Sequence, residues 1–283
     1  MLPMNGACPV CHSRDVSQAF VKHEIPYFKC GECGFGFSTP PGNANLDNTL
    51  HDFEDVYLRY LEPDRADEKN FSGLLRWMAR FAAIEGATFL DVGCGSGKLV
   101  RHLRRHSIDA CGLEPSAALY EHFLANEPYF FHGTLDDFAR AHGRTFDIVA
   151  AFDVIEHVPD PAHLLHGLGT VVREGGTIFL STPDAGSPAA KLLGRWWHHY
   201  NHYHLSYLSR PVVERMARRE GLEPLHCSRR GRYRSVGYAI EHGLNFVCGV
   251  SRPGVVRYLD RVYLPINTFD IMHQALRKRS CGG

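Results

Sequence analysis

Phe89-Leu90-Asp91-Val92-Gly93-Cys94-Gly95-Ser96-Gly97 decides the reading of this 283-residue chain, because an apolar strand runs into three alternate glycines and then into a helix. Glycine at 93, 95 and 97 permits positive φ in the turn and keeps Cβ atoms away from a ligand lying on the backbone. The helix behind it starts with unpaired N–H groups. Such a loop suits a nucleotide-like ligand. A P-loop needs glycine at position 92 and Ser or Thr after Lys98, but Val92 and Leu99 stand there. A dinucleotide G-x-G-x-x-G needs glycine where Lys98 stands, which disfavours an NAD-dependent oxidoreductase. What remains is Asp91-x-Gly93-x-Gly95-x-Gly97, with Glu114 closing the next apolar run, Ala110-Cys111-Gly112-Leu113. A carboxylate in that place accepts both hydroxyls of a ribose.

Working outward, Thr88–Val92 reads as a first strand and Lys98–His106 as a helix with Leu99, Val100 and Leu103 on one side. Glu114 ends a second strand, Ser116 caps a helix running to Ala125, and Tyr129-Phe130-Phe131 forms a short third strand. Phe146-Asp147-Ile148-Val149-Ala150-Ala151-Phe152 is a fourth strand, too continuously apolar to face water on one side. A helix over 162–172, a turn at Arg173-Glu174-Gly175-Gly176 and a strand over 177–183 follow. These motifs, in this order, resemble the class I S-adenosylmethionine (SAM) methyltransferases over most of residues 86–283. The resemblance implies a doubly wound, seven-stranded Rossmann-like α/β sheet. It also implies a cofactor site made by Asp91, Gly93, Gly95, Gly97 and Glu114, with Leu135 and Asp136 in the loop that encloses adenine, and Phe152 at the end of the fourth strand.

Asp153-Val154-Ile155-Glu156-His157 follows the fourth strand, at the carboxyl ends of the strands where open α/β sheets bind their ligands. Asp153, Glu156 and His157 lie at i, i+3 and i+4, so one helical turn would put them on one face. The pattern resembles the post-strand motif of coenzyme Q O-methyltransferases, which implies a divalent metal at these three residues. Here Asp153 replaces the family's glutamate. Our reading ranks loop support by Glu156 and His157 first, general-base catalysis by His157 second and metal ligation third.

Trp196-Trp197-His198-His199-Tyr200-Asn201-His202-Tyr203-His204 lies after the fifth strand, in the segment near 184–208 that resembles the acceptor-pocket insertion of these enzymes. No acid is interleaved among its histidines. An extended chain would place His202 and His204 on one face, and either would serve as a base for an attacking hydroxyl or amine. His204 and His202 therefore rank ahead of His157. The implied reaction is methyl transfer to an oxygen or nitrogen of a small-molecule acceptor. Non-methyl alkylation or cyclisation using SAM is an alternative. The arginine run Arg229, Arg230, Arg232 and Arg234 offers guanidinium groups to phosphate or carboxylate. The C-terminal aromatics Phe246, Tyr258, Tyr263 and Phe269 resemble the ends of methyltransferases of polysaccharide and natural-product pathways, implying a sugar-containing or phosphorylated acceptor.

Nine cysteines include two tight pairs, Cys8-Pro9-Val10-Cys11 and Cys30-Gly31-Glu32-Cys33, separated by 18 residues. That spacing predicts a zinc ribbon over residues 1–40, with the four thiolates around one structural Zn2+. Residues 41–85 read as a helical connector or cap, with Phe71, Leu74, Leu75, Met78 and Phe81 at helical spacing. The ribbon carries only Arg14, Lys22 and Lys29 as cations, too few for a phosphate track, and the intact Gly93, Gly95, Gly97 and Glu114 argue against the rival from another class, an RNA- or protein-binding factor with a degenerate cofactor domain. Lys and Arg together equal Asp and Glu at 31 each, so no global basic field recruits nucleic acid. No apolar run is long enough to span a bilayer and no export signal is evident, which makes the cytoplasm the expected compartment.

Overall fold

A computed structural model describes residues 6–39, 66–237 and 261–280, together with 240 and 259. The part of the expected connector before residue 66, as well as Phe246 and Tyr258, lies outside the described residues. Three strands open the chain, β1 (Val16–Lys22), β2 (Ile25–Cys30) and β3 (Gly36–Ser38). Helix α1 (Asp67–Met78) leads to β4 (Thr88–Val92), α2 (Lys98–Arg105) and β5 (Asp109–Glu114). Next come α3 (Ala117–Leu119), continued by a π-helical turn over Tyr120–Leu124, then β6 (Phe130–His132), α4 (Leu135–His142), β7 (Phe146–Phe152), α5 (Pro161–Val171) and β8 (Val172–Pro183). The chain closes with α6 (Pro188–Leu193), β9 (Ser206–Tyr207), α7 (Arg210–Arg219), β10 (Leu222–Arg229), β11 (Arg232–Ser235), β12 (Tyr263–Ile266) and β13 (Ile271–Lys278).

The main sheet has seven strands in the order β10-β13-β8-β7-β4-β5-β6. β4 to β8 pair in parallel, while β13 runs antiparallel between β8 and β10. Alternate residues face opposite sides of a strand, and the two faces have separate cores. Leu90, Val149, Ile178 and Leu180 meet Leu165 and Leu168 of α5 and Val213 and Met216 of α7. Phe89, Ile148, Ala150 and Phe179 meet Trp77 and Met78 of α1 and Val100 and Leu103 of α2. Burial on both faces explains why Ile148–Phe152 of β7 reads as an unbroken apolar run. The helical spacing of Phe71, Leu74, Leu75 and Met78 is thus explained by packing of α1 directly on the sheet. The turn at 173–176 appears as a register irregularity between Phe146 and Ile148 where β7 meets β8, with Gly175 at φ 71°.

β1, β2 and β3 form an antiparallel sheet that β9 joins as a fourth strand. Gly36 pairs with Tyr207 and Phe37 with Ser206, so the N-terminal module is completed by the segment that follows the histidine cluster. Its interior is not independent either. Cys8, Val10, Phe28, Phe35 and Phe37 are continuous with the core cluster of the main sheet, and Arg219 of α7 donates to the Val10 carbonyl at 2.8 Å. A module this small is expected to need such help or a metal. Among the described residues, no helix is long and apolar enough to cross a membrane.

Candidate active site

The strand order reverses between β4 and β7, and the crevice at their carboxyl ends is where such a sheet receives a ligand. Gly93, Gly95 and Gly97 all have positive φ, at 69°, 56° and 73°. Glu114 holds the loop: one carboxylate oxygen accepts from the Gly95 amide at 2.8 Å and the other from the Ser116 amide at 2.9 Å. Two of the glycines are required by protein neighbours. A Cβ on Gly93 would lie 2.7 Å from Val154 Cγ2, and one on Gly97 would lie 2.4 Å from Phe130 Cζ. These contacts join residues distant in sequence, so the motif alone ascribes to the ligand a demand that the packing also makes.

Asp91 is buried beside this loop, and burial together with the neighbouring charge of Glu114 pushes its carboxyl up to about 8. A buried pair of carboxylates repels a pyrophosphate and favours a cation. The donor set therefore fits SAM, whose sulfonium and amino groups are positive, better than a dinucleotide. Leu135 is buried at the start of α4. Thr134 and Asp137 form a reciprocal cap on that helix, whereas the exposed Asp136 carboxylate faces His163 Nε2 at 2.8 Å. Phe152 ends β7, with its ring 6.4 Å from that of His273.

Beyond β7 the chain turns without forming a regular helix, and Asp153 has φ 57°. Its carboxylate accepts from Ser181 Oγ and from Arg232 Nη2, both at 2.6 Å. Burial opposes the charge, but Arg232 and the Ser181 hydroxyl outweigh it and hold the carboxyl well below the usual range. Glu156 is buried, and burial plus the charge of Asp153 pushes it up to about 8. Instead of grouping with Asp153, Glu156 and His157 gather with His204, their ligating atoms within 4.8 Å of one another. The expected Asp153-Glu156-His157 metal set is therefore not assembled.

His157 Nδ1 lies 3.0 Å from the Tyr203 carbonyl, and His204 Nδ1 lies 2.9 Å from the His199 carbonyl. A carbonyl only accepts, so each Nδ1 carries the proton and each Nε2 keeps its lone pair. The two rings meet edge to face at 4.9 Å. Burial lowers the pKa of both, which keeps them neutral. His202 differs. Asn201 Oδ1 accepts from the amides of Tyr203 and His204, folding the chain into a turn that leaves His202 exposed and its ring 3.8 Å from that of Tyr203. His202 and His204 thus do not share a face.

Cys8, Cys11, Cys30 and Cys33 place their sulfurs within 4.8 Å of one another, with 3.6 Å between Cys8 and Cys33 and 3.5 Å between Cys11 and Cys30. Four thiolates bound tetrahedrally at about 2.3 Å stand roughly 3.8 Å apart, so the set fits zinc. Of the arginine run, Arg229 pairs with Asp184, Arg230 donates to the Gly73 carbonyl, and Arg232 pairs with Asp153. The acceptors they hold belong to this chain. Sequence spacing gives no sign of these pairings, nor of Val154 against Gly93.

Fold and crevice together define a class I SAM-dependent methyltransferase. The chain belongs to the methyltransferase-domain family, whose sequence model matches residues 66–227. A ubiquinone biosynthesis O-methyltransferase of Aromatoleum aromaticum is 30% identical over 166 residues, covering 53% of this chain and 69% of that protein. Its counterpart in Thiobacillus denitrificans is also 30% identical over 166 residues, covering 53% and 70%. Among solved structures, magnesium protoporphyrin IX methyltransferase of Synechocystis has a TM-score of 0.54 at 12% identity, over 83% of this chain and 98% of that one. That likeness concerns the fold.

Proposed function

We propose that this methyltransferase acts on a hydroxyl group of a small-molecule acceptor, with His204 as the base and His157 beside it. The observation that carries this reading is the pair of neutral imidazoles whose Nδ1 protons are held by backbone carbonyls, leaving both Nε2 atoms unprotonated. His157 lies three residues after Val154, which packs against Gly93, and His204 meets His157 edge to face, so the pair lies on the cofactor-loop side of the crevice. Bound SAM supplies the methyl group. The chain's residues would do the rest: Asp91 and Glu114 receive positive charge and ribose, Leu135, Asp136 and Phe152 flank the cofactor, and His204 Nε2 takes the proton the acceptor loses. Most of the catalytic effect comes from alignment, since methyl transfer needs little covalent help from the protein. O-methylation in the names of the relatives supports oxygen over nitrogen. One Zn2+ at Cys8, Cys11, Cys30 and Cys33 serves a structural role.

The test is a mass-spectrometric screen of phenols, sugars and their phosphates, with matched amines as the control arm, in the presence of SAM. Gain of one methyl group on a hydroxylated acceptor, lost in His204→Gln, supports the reading. Methylation confined to amines, or a mass gain other than methyl, overturns it.

A further inference from the structure

Trp197-His198-His199 has no acid near it in sequence, but the fold supplies one from 73 residues beyond Trp197. Asp270 lies just before β13, and its backbone carbonyl accepts from the Asp184 amide at 2.6 Å, which ties it to the end of β8. Its carboxylate is almost completely buried. One oxygen, Oδ2, accepts from the Trp197 indole at 3.0 Å, and the other accepts from the Thr268 hydroxyl. His198 Nε2 and His199 Nε2 stand 3.7 and 3.6 Å from that same Oδ2. All three ligating atoms lie within 4.8 Å of one another.

We propose that His198, His199 and Asp270 form a second metal site, for Zn2+ or a similar late first-row divalent ion, separate from the ribbon and from the Glu156-His157-His204 group. The spacing is the first argument. The 3.6 and 3.7 Å gaps exceed a good hydrogen bond, yet two ligands on a tetrahedral ion with bonds of about 2.1 Å stand roughly 3.4 Å apart. Chemistry is the second, because two imidazoles and a carboxylate are donors such ions accept. Support around the ligands is the third. Trp197 and Thr268 fix the orientation of the carboxylate, the role that outer hydrogen-bond partners play at metal centres. The His198 and His199 ring centroids are 4.0 Å apart, and the His199 ring lies edge-on to Trp197 at 5.0 Å. Three protein ligands leave a position for water or an acceptor oxygen. The His199 carbonyl accepts from His204, so an ion here would also fix the loop that carries the proposed base.

The test uses the full chain, stripped of metal and titrated with Co2+ under reducing conditions. The ribbon has thiolate ligands and gives a sulfur-to-cobalt charge-transfer band, whereas the histidine-carboxylate site gives only ligand-field bands. Wild type is expected to bind two equivalents. Asp270→Asn should keep the thiolate band and weaken the second equivalent by at least about 100-fold. Because Asp270 is buried and its replacement risks unfolding, His198→Gln, at a partly exposed ligand, is the second variant with the same expected loss. A wild type that binds one equivalent, with the thiolate signature alone, overturns the proposal. So does a second equivalent that persists in His198→Gln but disappears in His157→Gln.

Discussion

Ser38 donates its hydroxyl to the carbonyl of His204 at 2.9 Å, and its amide donates to the next carbonyl, that of Leu205, at 3.0 Å. A residue of the N-terminal module thus holds the backbone of the proposed base. Lys22 adds a second tie, donating to the Tyr200 carbonyl at 2.8 Å, and β3 pairs with β9 just beyond. Tyr27, Tyr207 and Trp197 are buried together in a third core cluster between the two parts. The module is therefore the seat of the histidine loop.

Loss of the proposed zinc is expected to travel along these contacts, since the folding of a small ribbon is coupled to its metal. Cys30→Ser should accelerate hydrogen exchange in residues 6–39 and also in 197–207, lower methyl transfer, and leave SAM affinity nearly unchanged. Hydrogen-exchange mass spectrometry with calorimetry checks this. An unfolded ribbon beside a histidine loop with wild-type protection would show that the contacts carry no coupling.

The loop glycines should separate into two kinds. Gly97→Ala would press a Cβ into Phe130 and Leu124, adding an overpacking cost of about 1–3 kcal/mol to the strain of a left-handed residue. Gly95→Ala carries the same left-handed strain, at φ 56°, and with its amide held by Glu114 it should show the larger loss of SAM affinity. Thermal unfolding of Gly97→Ala, paired with SAM titrations of both variants, decides it; a Gly97→Ala protein with the wild-type melting temperature would contradict the packing argument.

The fold was legible because its evidence is local. Strand β4, the glycines, Glu114 and the apolar run Ile148–Phe152 of β7 each lie within one short stretch, and two C-x-x-C pairs announce their own chemistry. The site was legible only in part, because its partners are far apart in the chain. Asp153 meets Arg232 across 79 residues, His157 meets Tyr203 across 46, and Ser38 meets His204 across 166. The expectation that His202 and His204 share a face fails for a local reason. Asn201 competes for the backbone amides and converts an extended segment into a turn.

Asp91 should make SAM binding dependent on pH. Its carboxyl is raised to about 8, so the free protein holds it protonated at neutral pH, while a cation beside it favours the ionised form. Binding near pH 7 should then release a proton, and affinity should rise with pH, by up to about tenfold per unit for one fully coupled proton, levelling off above pH 8. Calorimetry in buffers of different ionisation enthalpy measures the released proton directly. Asp91→Asn should abolish that release. A wild type that binds SAM with no proton exchange between pH 6 and 8 would show that Asp91 is not linked to the cofactor.

Replacement of the proposed base should affect chemistry and spare the cofactor. His204→Gln removes the Nε2 lone pair that the His199 carbonyl leaves unprotonated, and the single-turnover rate should fall by about 10²–10⁴-fold, the usual contribution of general-base catalysis. SAM affinity should stay close to wild type, because the glycine loop is held by Glu114 and Leu113 and makes no contact through His204. His157→Gln should cost less if that ring chiefly buttresses His204, and His202→Gln should be nearly silent, since His202 is exposed outside the cluster. Raising the pH should partly restore the His204 variant on a phenolic acceptor, which ionises by itself, and much less on an alcohol. Wild-type rates in all three variants would mean that the enzyme works by positioning alone. A loss in His202→Gln that exceeded the other two would move the base to the surface of the turn and overturn the assignment made from the two backbone-held imidazoles.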